Sequence, residues 1–118
     1  MSKILVTGGA GYIGSKIVTD LIHRKFDVYV VDNLSTGFKS LINKKAKFYK
    51  FDIADKLKIQ KIINKFNIVS VIHCAASTNV KESEINPKKY IKNNVKKTEI
   101  FLKSLANTKV KNIIYSST

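Results

Sequence analysis

The segment Thr7-Gly8-Gly9-Ala10-Gly11-Tyr12-Ile13-Gly14 carries the most specific chemistry in the chain. Gly8, Gly11 and Gly14 recur at every third position between a β-branched run (residues 3–7) and a stretch of helical period. Gly8 permits a tight turn. Gly11 lets the main chain approach a diphosphate with no side chain between, and Gly14 allows the helix to pack closely on the sheet. The helix start then offers unpaired N–H groups and the positive end of its dipole to phosphate. An acid follows at Asp32, 18 residues beyond Gly14, where it could accept hydrogen bonds from ribose hydroxyls. Glycines alone are a weak signal, but strand, glycine turn, helix and distal acid together form a dinucleotide-binding fingerprint.

Asp32 also bears on which dinucleotide. A carboxylate repels a 2′-phosphate, and no Arg follows it, so NAD is expected rather than NADP. The competing reading has Asp32 cap the next turn together with Asn33 and Gly37. Asp52 ends a third apolar run and could meet an adenine amino group, or it could cap the helix that begins near Asp55; both readings stay open. His73 lies in a run that reads as a buried strand, where a histidine is ordinarily a hydrogen-bonded structural residue. Cys74, beside it, is not expected to act as a nucleophile, since burial raises a thiol's pKa.

These residues need elements to hold them. Runs of strand length cover residues 3–7, 27–32, 47–52, 68–74 and 112–117. Between them, helical periods span residues 12–24 (Ile13, Ile17, Val18, Leu21, Ile22) and 55–65 (Ile59, Ile62, Ile63). A longer helix is expected from Asn86-Pro87, an N-cap followed by proline at the first helical position, to about residue 107. Alternating strands and helices imply right-handed crossovers and a parallel sheet covered on both faces. The expected fold is therefore α/β, a Rossmann-like three-layer sandwich with strand order 3-2-1-4-5 and the ligand crevice at the carboxyl ends of strands 1 and 4.

Composition narrows the function classes. The 118 residues suit one domain, and 44% hydrophobic with 25% charged residues is ordinary for a globular one. There is no apolar run long enough to span a bilayer and no secretory h-region, so a cytoplasmic setting is expected. A single cysteine excludes a disulfide framework and a multi-cysteine metal site, and no metal is expected. The net charge of +14 invites a nucleic-acid reading, but Arg24 is the only arginine and the lysines are spread from Lys3 to Lys111. Base and phosphate recognition lean on the planar arginine fork, so nucleic acid is not the expected partner.

The motifs TGGAGYIG, VDNLSTG, VIHCAAS, ES..NP..Y...NV and YSST together resemble the N-terminal part of the extended short-chain dehydrogenases, in their NAD-dependent epimerase/dehydratase family. The resemblance covers the whole chain. Asp32-Asn33-Leu34 and Val80-Lys81-Glu82-Ser83 with Asn86-Pro87 favour the UDP-sugar 4-epimerase branch. It implies that Gly8, Gly11, Tyr12, Ile13 and Gly14 hold the NAD pyrophosphate. Asp32, Asn33, Thr36 and Gly37 would surround the adenosine, and Asp52 and Ile53 would contact the adenine. Cys74, Ala75 and Ala76 would line the cofactor, Asn94 would anchor it, and Ser116 would position the nicotinamide half. Thr118 would be the catalytic residue that hydrogen-bonds the sugar 4-hydroxyl. The chain departs from the family pattern at Cys74, Thr78 and Lys97.

The family's reaction moves a hydride from C4 of the sugar to NAD and back, with a Tyr-x-x-x-Lys pair supplying the base. The only such spacing here is Tyr12 and Lys16, on the glycine-loop helix. The chain is thus expected to be an incomplete NAD-binding domain (residues 1–118), a fragment or truncated copy without the substrate domain and inactive alone. Its expected partners are a UDP-sugar in the full-length protein and a second copy, as a homodimer or through the edge of strand 5. The rival functions are a non-catalytic NAD-binding remnant, another nucleotide-sugar enzyme of the family, and a basic nucleic-acid binder.

Overall fold

The computed structural model describes residues 2–35, 37–74 and 87–115, with side chains in the first half of the last helix described only in part. The elements run β1 (Lys3–Thr7), α1 (Tyr12–His23), β2 (Asp27–Asp32), a short 3-10 turn (Lys39–Leu41), β3 (Lys47–Lys50), α2 (Lys56–Phe66), β4 (Ser70–His73), α3 (Pro87–Leu105) and β5 (Asn112–Tyr115). All strand pairs are parallel and the order is β3-β2-β1-β4-β5, as expected from the alternation of periods.

Side-chain alternation splits the core into two layers. Ile4 and Val6 of β1 and Val28 and Val30 of β2 face α1, meeting Val18. Leu5, Tyr29 and Val31 point the other way, against Ile59 and Ile63 of α2 and Phe101 of α3. Strands apolar on both faces are what a parallel sheet sandwiched by helices requires.

Several boundaries differ from those expected, for local reasons. β3 ends at Lys50 because Asp32 paired with Lys50 is the last β2–β3 pair, and Phe51 and Asp52 lie past the partner strand. β4 starts at Ser70 rather than residue 68. Asn67 closes α2 in the left-handed region (φ 54°), and the Ile68 N–H donates to the Ile63 carbonyl at 3.1 Å, so Ile68 belongs to the helix closure. α3 stops at Leu105, two residues before the expected end.

Candidate functional site

The glycine loop lies at the carboxyl end of β1, between β2 and β4. Gly8 has φ 71°, and its N–H donates to the Val31 carbonyl at 2.8 Å. The closest approach in the loop is at Gly14, where a Cβ would come within 2.1 Å of the Gly8 carbonyl oxygen. The demand on Gly14 therefore comes from the loop's own main chain. Gly11 differs: a Cβ there would meet only the Gly8 oxygen, at an ordinary 3.5 Å, and open space otherwise.

Gly11 is also the N-cap of α1 and supplies no side-chain cap. The first helical bond runs from the Ser15 N–H to the Gly11 carbonyl at 2.9 Å, so the N–H groups of Tyr12, Ile13 and Gly14 have no intrahelical acceptor. Tyr12 and Ile13 are exposed beside them. An uncapped helix start with open space before it is a fit site for a diphosphate.

The loop is gripped from β2. Asp32 is buried, and one carboxylate oxygen accepts the Ala10 N–H at 3.0 Å while the other accepts the Leu34 N–H at 2.8 Å. The turn-capping reading of Asp32 is thus observed, with an added bond to the glycine loop 22 residues away. A carboxylate has about four acceptor positions, and donors among the described residues fill two of them. The segment after β2 closes the grip: the Phe38 N–H donates to the Ala10 carbonyl at 3.0 Å, and a Cβ on Gly37 would lie 2.7 Å from that same carbonyl.

Asp52 sits at the mouth between β3 and α3. One oxygen accepts the Ala54 N–H at 2.9 Å; the other accepts from Asn33 Nδ2 at 3.2 Å and Lys97 Nζ at 2.9 Å. Burial raises its carboxyl, but these donors and the Lys97 charge outweigh it and hold the group below its ordinary value. The N-cap of α2 is Asp55, which accepts the Lys58 N–H at 3.2 Å, so Asp52 is not the helix cap. Ile53 is buried in the α2 and α3 layer beneath it.

His73, at the end of β4, is buried. Its Nδ1 lies 2.7 Å from Thr7 Oγ1 and its Nε2 lies 3.5 Å from Thr98 Oγ1, with the ring stacked on Phe101 at 5.0 Å. A neutral ring serves both hydroxyls, accepting at one nitrogen and donating at the other. Burial holds its pKa below the ordinary value, which agrees with a structural role. The Cys74 N–H donates to the Thr7 carbonyl at 2.9 Å, fastening the end of β4 to the start of the glycine loop. Tyr12 and Lys16 do meet: Nζ lies 2.7 Å from the phenol oxygen and 4.0 Å from the ring centroid, and this lowers the phenol pKa.

Among the expected site residues, the geometry brings together Gly8, Gly11, Tyr12, Ile13, Gly14, Asp32, Asn33, Gly37, Asp52 and Ile53 along the carboxyl ends of β1, β2 and β3. Cys74 borders them at the end of β4. Asn94 lies on α3, with its side chain outside the described residues. Thr36, Ala75, Ala76, Ser116 and Thr118 also lie outside them. Sequence reasoning missed Thr7 and Thr98 as partners of His73, and Lys97 as partner of Asp52. The departure at Lys97 was the one signal available.

Residues 4–118 match the model of the NAD dependent epimerase/dehydratase family. The chain belongs to this family. One epimerase/dehydratase relative, the UDP-glucose 4-epimerase of Lactobacillus helveticus, is 43% identical over 115 residues, which are 98% of this chain and 35% of that protein. Among solved structures, the UDP-glucose 4-epimerase of Thermotoga maritima, crystallised with UDP-glucose, superposes with a TM-score of 0.88. It is 39% identical, over 98% of this chain and 38% of its own. The UDP-glucose 4-epimerase of Brucella ovis, solved in complex with NAD, gives a TM-score of 0.89 and 39% identity over 99% of this chain and 36% of its own. The chain thus spans about a third of the length of these family members. Among the described residues, no helix is long and apolar enough to cross a membrane.

Proposed function

We propose that these 118 residues are the NAD-binding portion of a UDP-sugar 4-epimerase. The observation that carries the reading is the open, uncapped start of α1 beside the buried Asp32 carboxylate. In this reading the N–H groups of Tyr12, Ile13 and Gly14, with Gly8 and Gly11, hold the pyrophosphate. Asp32, Asn33, Thr36 and Gly37 surround the adenosine, and Asp52 and Ile53 its adenine. Cys74, Ala75, Ala76, Asn94 and Ser116 line the remainder, and Thr118 meets the sugar 4-hydroxyl.

When bound, the nicotinamide supplies reversible hydride acceptance. The chain's own residues bind and orient: α1 neutralises diphosphate charge, and Asp32 ties the ribose position to the glycine loop through Ala10. The relatives' names support the sugar chemistry, and the chain's one-third share of their length supports a portion of a longer enzyme. The reading includes a cytoplasmic setting and a homodimeric full-length enzyme, with β5 as a further pairing edge because it is a terminal strand of the described sheet.

The test is titration of the chain with NAD, followed by calorimetry, for the unmodified protein and for Gly11→Ala. A Cβ at Gly11 has room in the protein but stands where the diphosphate would approach. Saturable binding that falls at least tenfold in Gly11→Ala, with thermal unfolding little changed, supports the reading. Equal affinity in the two proteins, or no binding to either, refutes it. UDP-galactose turnover by these residues alone is not expected, because Tyr12 and Lys16, the only Tyr-x-x-x-Lys pair, sit on the exposed start of α1.

A further inference from the structure

The lysines are dispersed in sequence but not everywhere in space. On α2, Lys58, Lys61 and Lys65 recur at helical spacing and line a groove of about 440 Å³ beside β3, which Lys50 also borders. The floor is aromatic, formed by Tyr49, Phe51 and Phe66 among others, and among the described residues no acidic one lines the groove. Asp55 reaches Lys58 at 3.8 Å from the end of α2, the one ion pair found for these four lysines among the described residues. β3 is the terminal strand of the described sheet, so the groove runs beside an outer strand edge.

We propose that this groove docks an extended acidic peptide segment of a partner protein, which adds as a strand beside β3 and sets an apolar side chain on the aromatic floor. An outer strand edge carries main-chain donors and acceptors that an extended peptide can pair with. Carboxylates flanking its apolar residue meet the lysine row of α2, so charge and shape select the same ligand. A single-stranded nucleic acid is the poorer fit. A base needs a whole open ring face to stack, whereas Lys58 stands over Phe51 at 5.7 Å, Lys65 over Phe66 at 5.3 Å, and Tyr29 packs on Phe66 at 4.6 Å. The groove beside the rings thus suits a single side chain better than a stacked base. The rim also lacks arginine. The groove lies on the α2 side of β3, and the proposal does not depend on NAD binding.

The experiment uses the 118-residue chain and a dye-labelled heptapeptide, Glu-Leu-Glu-Phe-Glu-Leu-Glu, followed by fluorescence anisotropy. A version with lysine for glutamate and a labelled oligouridylate serve as competitors. Affinity for the acidic peptide should fall at least tenfold between about 50 and 200 mM salt. It should fall by a similar factor in the triple variant K58Q/K61Q/K65Q, whose lysines are exposed and whose thermal unfolding should hardly move. Amide exchange of β3 should slow on binding. Absence of binding, equal affinity for the triple variant, binding without protection of β3, or tighter binding of the oligouridylate would each overturn the proposal.

Discussion

One row of side chains on one face of the sheet divides the molecule. Strand register aligns Phe48, Val30, Val6, Ile72 and Ile114 across β3, β2, β1, β4 and β5. Val30 and Val6 are wholly buried beneath α1, Ile72 is half-buried, and Ile114 is 59% exposed. The β1–β2 side, which carries the glycine loop and Asp32, is therefore closed by contacts within these residues. The β4–β5 side has the same apolar sequence character without that cover. The geometry of the glycine loop and Asp32 is thus held by contacts within the described residues, whereas β5 gains little from the core it extends.

The sharpest way to break the contrast is at the loop. Gly14→Ala places a Cβ against the Gly8 carbonyl, a main-chain atom that can yield only by moving the turn. A loss of about 3 kcal/mol in urea unfolding is expected, together with NAD binding. Val30→Ala comes next, at about 2 kcal/mol, because its methyl groups leave a cavity in a wholly buried site. Asp32→Ala should cost a little under 2 kcal/mol in the same measurement, since it strands the buried Ala10 N–H. If all three cost under about 0.5 kcal/mol, the β1–β2 side is not the rigid half.

The sheet order was legible because each crossover has a clear change of period, from β-branched runs such as residues 3–7 to the spacing of Ile59, Ile62 and Ile63. The glycine loop and Asp32 were legible because their chemistry is local to one βαβ unit. What stayed hidden was set by topology. His73 meets Thr7 because β1 and β4 are neighbours, 66 residues apart in the chain, and Lys97 meets Asp52 across 45. The lysine-lined groove was hidden for the same reason. Lys58, Lys61 and Lys65 border Tyr49 and Phe51 only once α2 has folded back beside β3, so an even spread of charge along the chain concealed a local cluster.

His73 stands on the boundary between the two regions and gives a pH readout. Burial holds its folded pKa below the unfolded value of 6.5, so between those values the unfolded chain binds more protons. The stability this neutral histidine contributes is present above 6.5 and declines as pH falls toward the folded pKa. Unfolding midpoints measured from pH 8 to 5 should drop below 6.5, and His73→Gln should flatten that drop. Asp52, held low instead, acts in a separate window below its ordinary value of 3.8. A profile that stays flat from 8 to 5 would detach His73 from the core.

The smallest expected effect is the most discriminating. Ile114→Ala removes more apolar volume than Val30→Ala, from a residue in the same row, facing the same side of the same sheet. If strand identity and apolar character set the cost, Ile114 should match or exceed Val30. If burial sets it, a residue already 59% exposed has little transfer energy to lose and leaves no cavity, so the change should stay within about 0.5 kcal/mol. Urea unfolding of the two variants of this 118-residue chain, each at two protein concentrations, separates the cases. A cost for Ile114→Ala near that of Val30→Ala, independent of concentration, would mean that β5 is packed within the monomer. A cost that grows with concentration would mean that a second copy covers Ile114, which would make the β5 edge a pairing surface.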